Sequence, residues 1–479
     1  MRGSVFGISA FKGRKGHQSP HHGFVTGKTG SGKSVFGNDF LTQLDLYSDK
    51  TVVVDFGDSY GLTMAVLSGN NCRPFAPDPN GQDTLNYFDT GGSPMSTHFR
   101  QSIVSVLHLM TGKKPAEDED FLRRAVLSRS LGLFLEHWSQ TWIDREPERR
   151  GKLLTLQSTL RRFKKQARIT GDLTDVYSAW RNAAEDEAGP IETELHARRH
   201  RSEPDEEELM NLSFALMSAE EVPTHSSFCD WLDEHKCEAQ YCREELEKLA
   251  LLLEVWRADR GIMGRLFDGI NTIDLGARHV HIELAGLADA DETIRSLVSY
   301  VLSNKILGAM ARMPRAKRKH VVLEELGAFL NIKGASQIVR DFYERARKYN
   351  CFVLSVIQQI SNLPDAIARS VVGNCKQGFF FSQKDVRDVE LLQELFELPD
   401  NVADMLRGFK EPSKEHGASF ICWEDLGDRT RITPAANIAG REMLFVTNSS
   451  GSVYEERARA LAQYDDLLEG VKIEAAQES

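Results

Sequence analysis

The sequence has 479 residues, 41% of them hydrophobic and 9% aromatic. That is enough for a sizeable core and, at about 150 residues each, for two to four domains of ordinary size. A formal net charge of −11 and a pI near 5.8 weigh against a nucleic-acid grip spread over the whole chain, although a local basic face remains compatible with them. No run of about 18 apolar residues appears, so no transmembrane helix is expected. Met1–Pro20 has basic residues but no apolar core of signal-peptide length, and the chain is expected to stay in the cytoplasm.

In chain order, the first element is a short strand, Gly23–Thr26, followed by Gly27-Lys28-Thr29-Gly30-Ser31-Gly32-Lys33-Ser34. This run fits G-x-x-x-x-G-K-[ST] at every fixed position. Its glycines let the backbone fold tightly, and its N–H groups form an anion nest for phosphate oxygens. Lys33 brings positive charge to the β- and γ-phosphates of ATP, and Ser34 offers a hydroxyl to Mg²⁺. A helix from about Lys33 to Leu44, with Phe36, Phe40, Leu41 and Leu44 at helical spacing, would turn its positive end to the phosphates. Thr51–Asp55 reads as a buried parallel strand.

From about Phe99 to Arg260 the sequence is mainly helical. Leu153, Leu156, Leu160 and Phe163 recur at spacings of three and four. Arg161, Arg162, Lys164, Lys165 and Arg168 fill the opposite face, which reads as solvated. Ala184–Asp205 is a polar loop or weak helix, and Leu246–Trp256 is helical again. The seven cysteines are Cys72, Cys229, Cys237, Cys242, Cys351, Cys375 and Cys422. An odd number at irregular spacing fits reduced thiols. Cys229, Cys237 and Cys242, with His225 and His235, lack the Cys-x-x-Cys spacing of a structural zinc site and read as ordinary thiols.

An α/β pattern resumes near Asp268. His279–Leu284 is a strand, Thr293–Met310 a long helix, Gly378–Ser382 a late strand and Tyr454–Leu468 a terminal amphipathic helix. His320–Glu325 is an apolar strand ending in two acids. A nucleotide site needs one carboxylate to organise Mg²⁺ and another to polarise the attacking water. Glu324 takes the first position, where an Asp is usual, and Glu325 is the candidate general base. Upstream of the next strand, Cys351–Ile357, lies a charged helix, Asp341–Tyr349, with Arg345, Arg347 and Lys348. Beyond that strand, Gln358 stands at the tip, where an amide can orient water. The alternation implies a mostly parallel sheet covered on both faces and interrupted by an all-α insertion. The expected divisions are 1–98 and 261–450 for the core, 99–260 for the insertion and 451–479 for a terminal helix and tail.

Several of these runs together resemble the conjugative ATPases of type IV secretion systems, of the TraC type, within the superfamily of RecA-like ring motors that includes the FtsK and HerA DNA pumps. The likeness rests on Phe24–Ser34, Val54–Tyr60, Leu85-Asn86-Tyr87-Phe88 (Tyr87 standing where the family has Pro), Leu266-Phe267-Asp268-Gly269, and Arg345–Asn350 followed by Gln358. It implies a RecA-like α/β core and a hexamer with ATP bound between subunits. It also implies a cytoplasmic position at the inner-membrane base of a secretion channel, with the channel proteins as partners. Arg347 would act in trans and Gln358 as sensor. The family carries a large N-terminal domain before the core. Here the phosphate loop begins at Gly27, and the chain reads as the motor half. Two other functions compete: a DNA translocase or coupling ATPase that grips DNA directly, and a nucleotide-binding scaffold with little turnover, which the Glu324 substitution favours.

Overall fold

The computed structural model describes residues 7–12, 19–112, 117–186, 204–235, 243–261, 264–324, 335–447 and 451–477. The chain forms two compact units: Met1–Ala76 with Gly276–Ala288 and Arg315–Ser479, and Pro77–Leu275 with Asp289–Pro314.

The first unit is built on an eight-stranded sheet. Its strands are β3 (Gly23–Thr26), β4 (Lys50–Asp55), β5 (His279–Glu283), β6 (Lys319–Leu323), β7 (Cys351–Ile357), β8 (Gln377–Phe381), β9 (Ala418–Asp425) and β10 (Thr430–Asn437), in the order β10-β9-β8-β3-β7-β6-β4-β5. Strands β3 to β8 run parallel, and β9 and β10 add an antiparallel edge. β1 (Phe11–Lys12) and β2 (Ser19–Pro20) form a separate two-stranded ladder. Every residue of β3, β4, β6, β7 and β8 is buried, which is why these strands read as near-continuous apolar runs.

Helix α1 (Lys33–Asp45) packs Phe36 and Phe40 onto Phe352, Phe379, Phe381 and Phe420, with Phe36 and Phe379 ring centres 4.9 Å apart. At the β5 edge, Phe75 exchanges backbone hydrogen bonds with the strand: its N–H donates to His281 O at 2.9 Å and its carbonyl accepts from Glu283 N at 2.9 Å.

Two features differ from expectation. The sequence reading did not anticipate the β9–β10 hairpin, because β10 is a polar, half-exposed edge containing Pro434. The single terminal helix expected over Tyr454–Leu468 is two, Gly451–Leu461 and Leu467–Gln477. Asp466 Oδ1 accepts from Leu468 N at 2.9 Å and from Glu469 N at 3.1 Å, so a capping carboxylate restarts the helix where apolar spacing alone would carry it through.

The described residues of the second unit form helices and no strand. They include α3 (Thr97–Met110), α4 (Glu117–Arg145), α5 (Pro147–Ala167), α6 (Leu173–Asp186) and the long helix Glu292–Arg312, capped by Asp291. On α5, Leu153, Leu156 and Leu160 are buried, while Arg162, Lys164, Lys165 and Arg168 are exposed. The two runs Leu85–Phe88 and Leu266–Gly269 meet in this unit: Leu85 N–H donates to Leu266 O at 2.7 Å. His225 is buried, with Tyr87 Oη 2.7 Å from Nδ1 and Leu253 O 2.9 Å from Nε2, so it is a satisfied core histidine. Cys229 is a buried free thiol, and Cys237 and Cys242 lie outside the described residues, as does most of the Ala184–Asp205 segment.

Two histidines of the first unit are held neutral. His22 donates from Nε2 to Tyr343 O at 3.1 Å and accepts at Nδ1 from Val353 N at 3.1 Å. His320 places Nδ1 2.9 Å from Ser48 Oγ. Burial pushes both imidazoles down from 6.5 to about 4. In the unfolded chain they charge below about 6.5, so their contribution is complete above that pH and is lost as pH falls toward 4. Each adds a slope of up to about 1.4 kcal/mol per pH unit in that window. Thermal unfolding followed from pH 7 to 4 should show a falling Tm, and His320→Asn should flatten the profile.

Candidate nucleotide site

The phosphate loop leaves β3 and enters α1 at Lys33. Gly32 has φ 98°, and a Cβ there would lie 2.4 Å from that of Ala418. A Cβ on Gly27 would lie 2.5 Å from that of Phe381. Both positions therefore require glycine, one for conformation and both for the close approach of the sheet. Lys28 N–H donates to Ser382 O at 2.8 Å and Ser31 N–H to Lys28 O at 3.2 Å, which pins the turn. Lys28 Nζ lies 3.6 Å from the exposed Glu411. Lys33 is buried, and its amine donates to Gly27 O at 2.6 Å and Lys28 O at 3.0 Å, across the mouth of the loop. The Ser31 side chain is buried, and Gly30 adopts φ 74°.

Parallel pairing sets the neighbours of this loop. β7 lies between β3 and β6, so the tips of all three strands face the same end of the sheet. Gln358, just past β7, accepts from Thr29 Oγ1 through Oε1 at 2.8 Å. Glu324 follows β6. Its N–H donates to Val54 O at 2.8 Å, and its Oε2 accepts from Tyr60 Oη at 3.1 Å. Tyr60 is fully buried, and burial followed by the Glu324 charge holds its hydroxyl well above the ordinary range, so it remains a donor. Asn38 Nδ2 donates to Ser34 O at 2.9 Å and to Ser59 O at 3.1 Å. Ser34, Asn38, Ser59, Tyr60 and Glu324 thus form one connected path from the first turn of α1 to the acidic strand tip.

Tyr60 and Asn38 carry no role in the motif reading. The partners that tie them across the fold, Ser59 for Asn38 and Glu324 for Tyr60, are remote in sequence, and no local signal marks them. Glu325 lies outside the described residues. Arg347 is exposed near the end of the helix Ala335–Lys348, which feeds the N-terminal end of β7. Seven residues of β7 separate it from Gln358, about 20 Å at strand rise, so Arg347 stands away from the phosphate loop of its own chain. Arg345 is half-buried on the same helix.

No protein-family model matches the sequence, and no curated protein matches it. Among solved structures, VirB4 of Thermoanaerobacter pseudethanolicus aligns over 88% of this chain and 91% of its own, with a TM-score of 0.59 and 14% identity. The chain has the fold of VirB4. Weaker likenesses include the bacterial conjugative coupling protein TrwB in an unbound form (TM-score 0.47, 11% identity, 88% and 85% covered). The same protein in complex with ADP and Mg²⁺ gives a TM-score of 0.42 and 12% identity, with 88% and 86% covered. The RecA-like α/β core with a helical insertion expected from the sequence is the architecture found, and the VirB4 likeness agrees with the resemblance drawn from the motifs.

Within this VirB4-like core, α1 touches Tyr60 without slack: a Cβ on Gly37 would lie 2.1 Å from Tyr60 Oη. Gly37→Ala should therefore destabilise by about 1–3 kcal/mol through overpacking, outweighing the roughly 1 kcal/mol that alanine contributes to a helix. Tyr60→Phe removes the clashing oxygen, so the double variant should recover most of the loss. A double-mutant cycle of Tm values measures this, and simple additivity would show that the contact is not the cause.

Proposed function

We propose that this chain hydrolyses ATP and that the energy drives assembly of, or substrate transfer through, a conjugative type IV secretion system. The observation that supports this reading is the meeting of the phosphate loop, Gln358 and Glu324 at one end of a VirB4-like sheet. The residues fit the nucleotide: a left-handed glycine loop, the start of a helix and a buried lysine amine come together in one turn. Gly27, Lys28, Thr29, Gly30, Ser31, Gly32 and Lys33 would hold the phosphates, and Ser34 with Glu324 would hold Mg²⁺. ATP supplies the phosphoanhydride that is broken. Gln358, held by Thr29, orients the attacking water, and Glu325, next to Glu324 in the chain, takes its proton. Arg347 serves the loop of a neighbouring copy, because it is remote from its own. We place the assembled protein, a hexamer, in the cytoplasm against the inner membrane. No helix among the described residues is long and apolar enough to cross a membrane.

The test is steady-state ATP hydrolysis against protein concentration, with and without DNA. Specific activity should rise with concentration, vanish in Lys33→Ala and ignore DNA. Strong DNA stimulation would move the translocase function to first place, and equal inactivity of wild type and Lys33→Ala would favour the scaffold. For the trans role, Arg347→Ala should bind nucleotide normally yet lose about 10³-fold or more in turnover. Mixing it with Lys33→Ala should restore activity, and no recovery on mixing would remove Arg347 from the neighbouring site.

A further inference from the structure

Two strands away from the phosphate loop, the β4–β5 pair carries a second cluster. Asp55 and Glu283 are register partners at the tips of the two strands, and His281 lies two residues before Glu283 on the same face. The chain then turns through Gly57 and Asp58, whose φ is 56°, and brings the Asp58 carboxylate back to the pair. One ligand atom from each of Asp55, Asp58, His281 and Glu283 lies within 4.8 Å of the others.

Backbone amides orient two of the carboxylates. Asp55 accepts from Phe56 N through Oδ1 at 2.8 Å and from Tyr60 N through Oδ2 at 2.8 Å. Glu283 accepts from Gly57 N at 2.9 Å, Asp58 N at 2.6 Å and Ala285 N at 2.7 Å. Both Asp55 oxygens and Glu283 Oε2 keep a lone pair beyond these bonds, while Glu283 Oε1 commits both of its own to Gly57 and Ala285. Among the described residues, no lysine or arginine pairs with Asp55 or Glu283.

The imidazole is the decisive member. His281 is 1% exposed, yet neither ring nitrogen has a hydrogen-bond partner, and Nε2 stands 3.4 Å from Asp55 Oδ2. A buried polar group without a partner is costly, and this one points into three carboxylates. Ligand bonds of about 2.0–2.2 Å hold donors at most about 4.4 Å apart, so these four atoms, within 4.8 Å of one another, need only a small inward shift to close on one ion. One imidazole nitrogen with three carboxylates is the donor set of a first-row divalent metal such as Mn²⁺ or Zn²⁺ rather than of a site built for Mg²⁺ alone.

We propose that Asp55, Asp58, His281 and Glu283 bind a divalent transition-metal ion, separate from any ion at Ser34 and Glu324. The ion braces the turn that carries Tyr60. Tyr60 is held at its N–H by Asp55 and holds Glu324 through its hydroxyl, so the ion acts as a positioning element for the acidic strand tip.

The test uses the full chain, stripped with chelator, and Mn²⁺ followed by electron paramagnetic resonance without nucleotide. One Mn²⁺ per chain should bind, and Ser34→Ala should leave that binding unchanged. His281→Gln and Glu283→Gln should each weaken it about tenfold or more. Electron spin-echo spectra of the wild type should show coupling to an imidazole nitrogen, a readout that needs no variant to fold. Absence of nucleotide-independent binding, absence of nitrogen coupling, or loss of binding in Ser34→Ala would each overturn the proposal. So would undiminished binding in folded His281→Gln and Glu283→Gln.

Discussion

Parallel strand pairing is the constraint on which the rest of the first unit depends. A parallel ladder sends every strand tip to the same side, so β3, β7, β6, β4 and β5 end together although hundreds of residues separate them in the chain. The register then decides the chemistry. Because β7 is inserted between β3 and β6, the amide of Gln358 sits against Thr29, and the Glu324 carboxylate is reached from the other side by Tyr60. Slipping one strand by a single residue would turn each of these side chains to the opposite face.

The buried polar groups of this unit divide into two kinds. His22 is satisfied on both nitrogens and stays neutral, and Lys319 donates to Tyr349 O at 2.7 Å with its ammonium pushed down to about 8 by burial. Such groups specify packing. At the strand tips, Asp55, Tyr60 and Glu324 are also buried or half-buried, and their bonds tie the turn after β4 to the tip of β6, while the buried Lys33 amine closes on its own loop. These bonds join the elements that would have to keep their relative positions if the site works on phosphate.

The phosphate loop was legible because its chemistry demands fixed residue types at fixed spacing. The strands Thr51–Asp55 and Cys351–Ile357 were legible because strands buried on both faces need continuous apolar side chains. β10 was not, since an edge strand with one wet face tolerates Thr, Arg, Pro and Asn. The terminal helix was misread as one because Asp466 caps a new start inside an amphipathic pattern. Asn38, Tyr60 and His281 were silent for a different reason. Asn38 and Tyr60 owe their places to partners on another turn or strand, and His281 to the β4–β5 pairing that sets it beside Asp55; no local period records such neighbours.

The two edges of the large sheet share a property. On β5, Phe75 occupies the outer hydrogen-bonding row at His281 and Glu283, and on β10, Pro434 lacks the N–H that a further strand would need. Neither margin offers an unbroken row of donors and acceptors, so the sheet resists being extended from one molecule into the next. If copies of this chain assemble as proposed, they meet through side chains rather than through shared backbone ladders. Such contacts can be made and released as subunits shift, without unpicking the sheet that carries the loop.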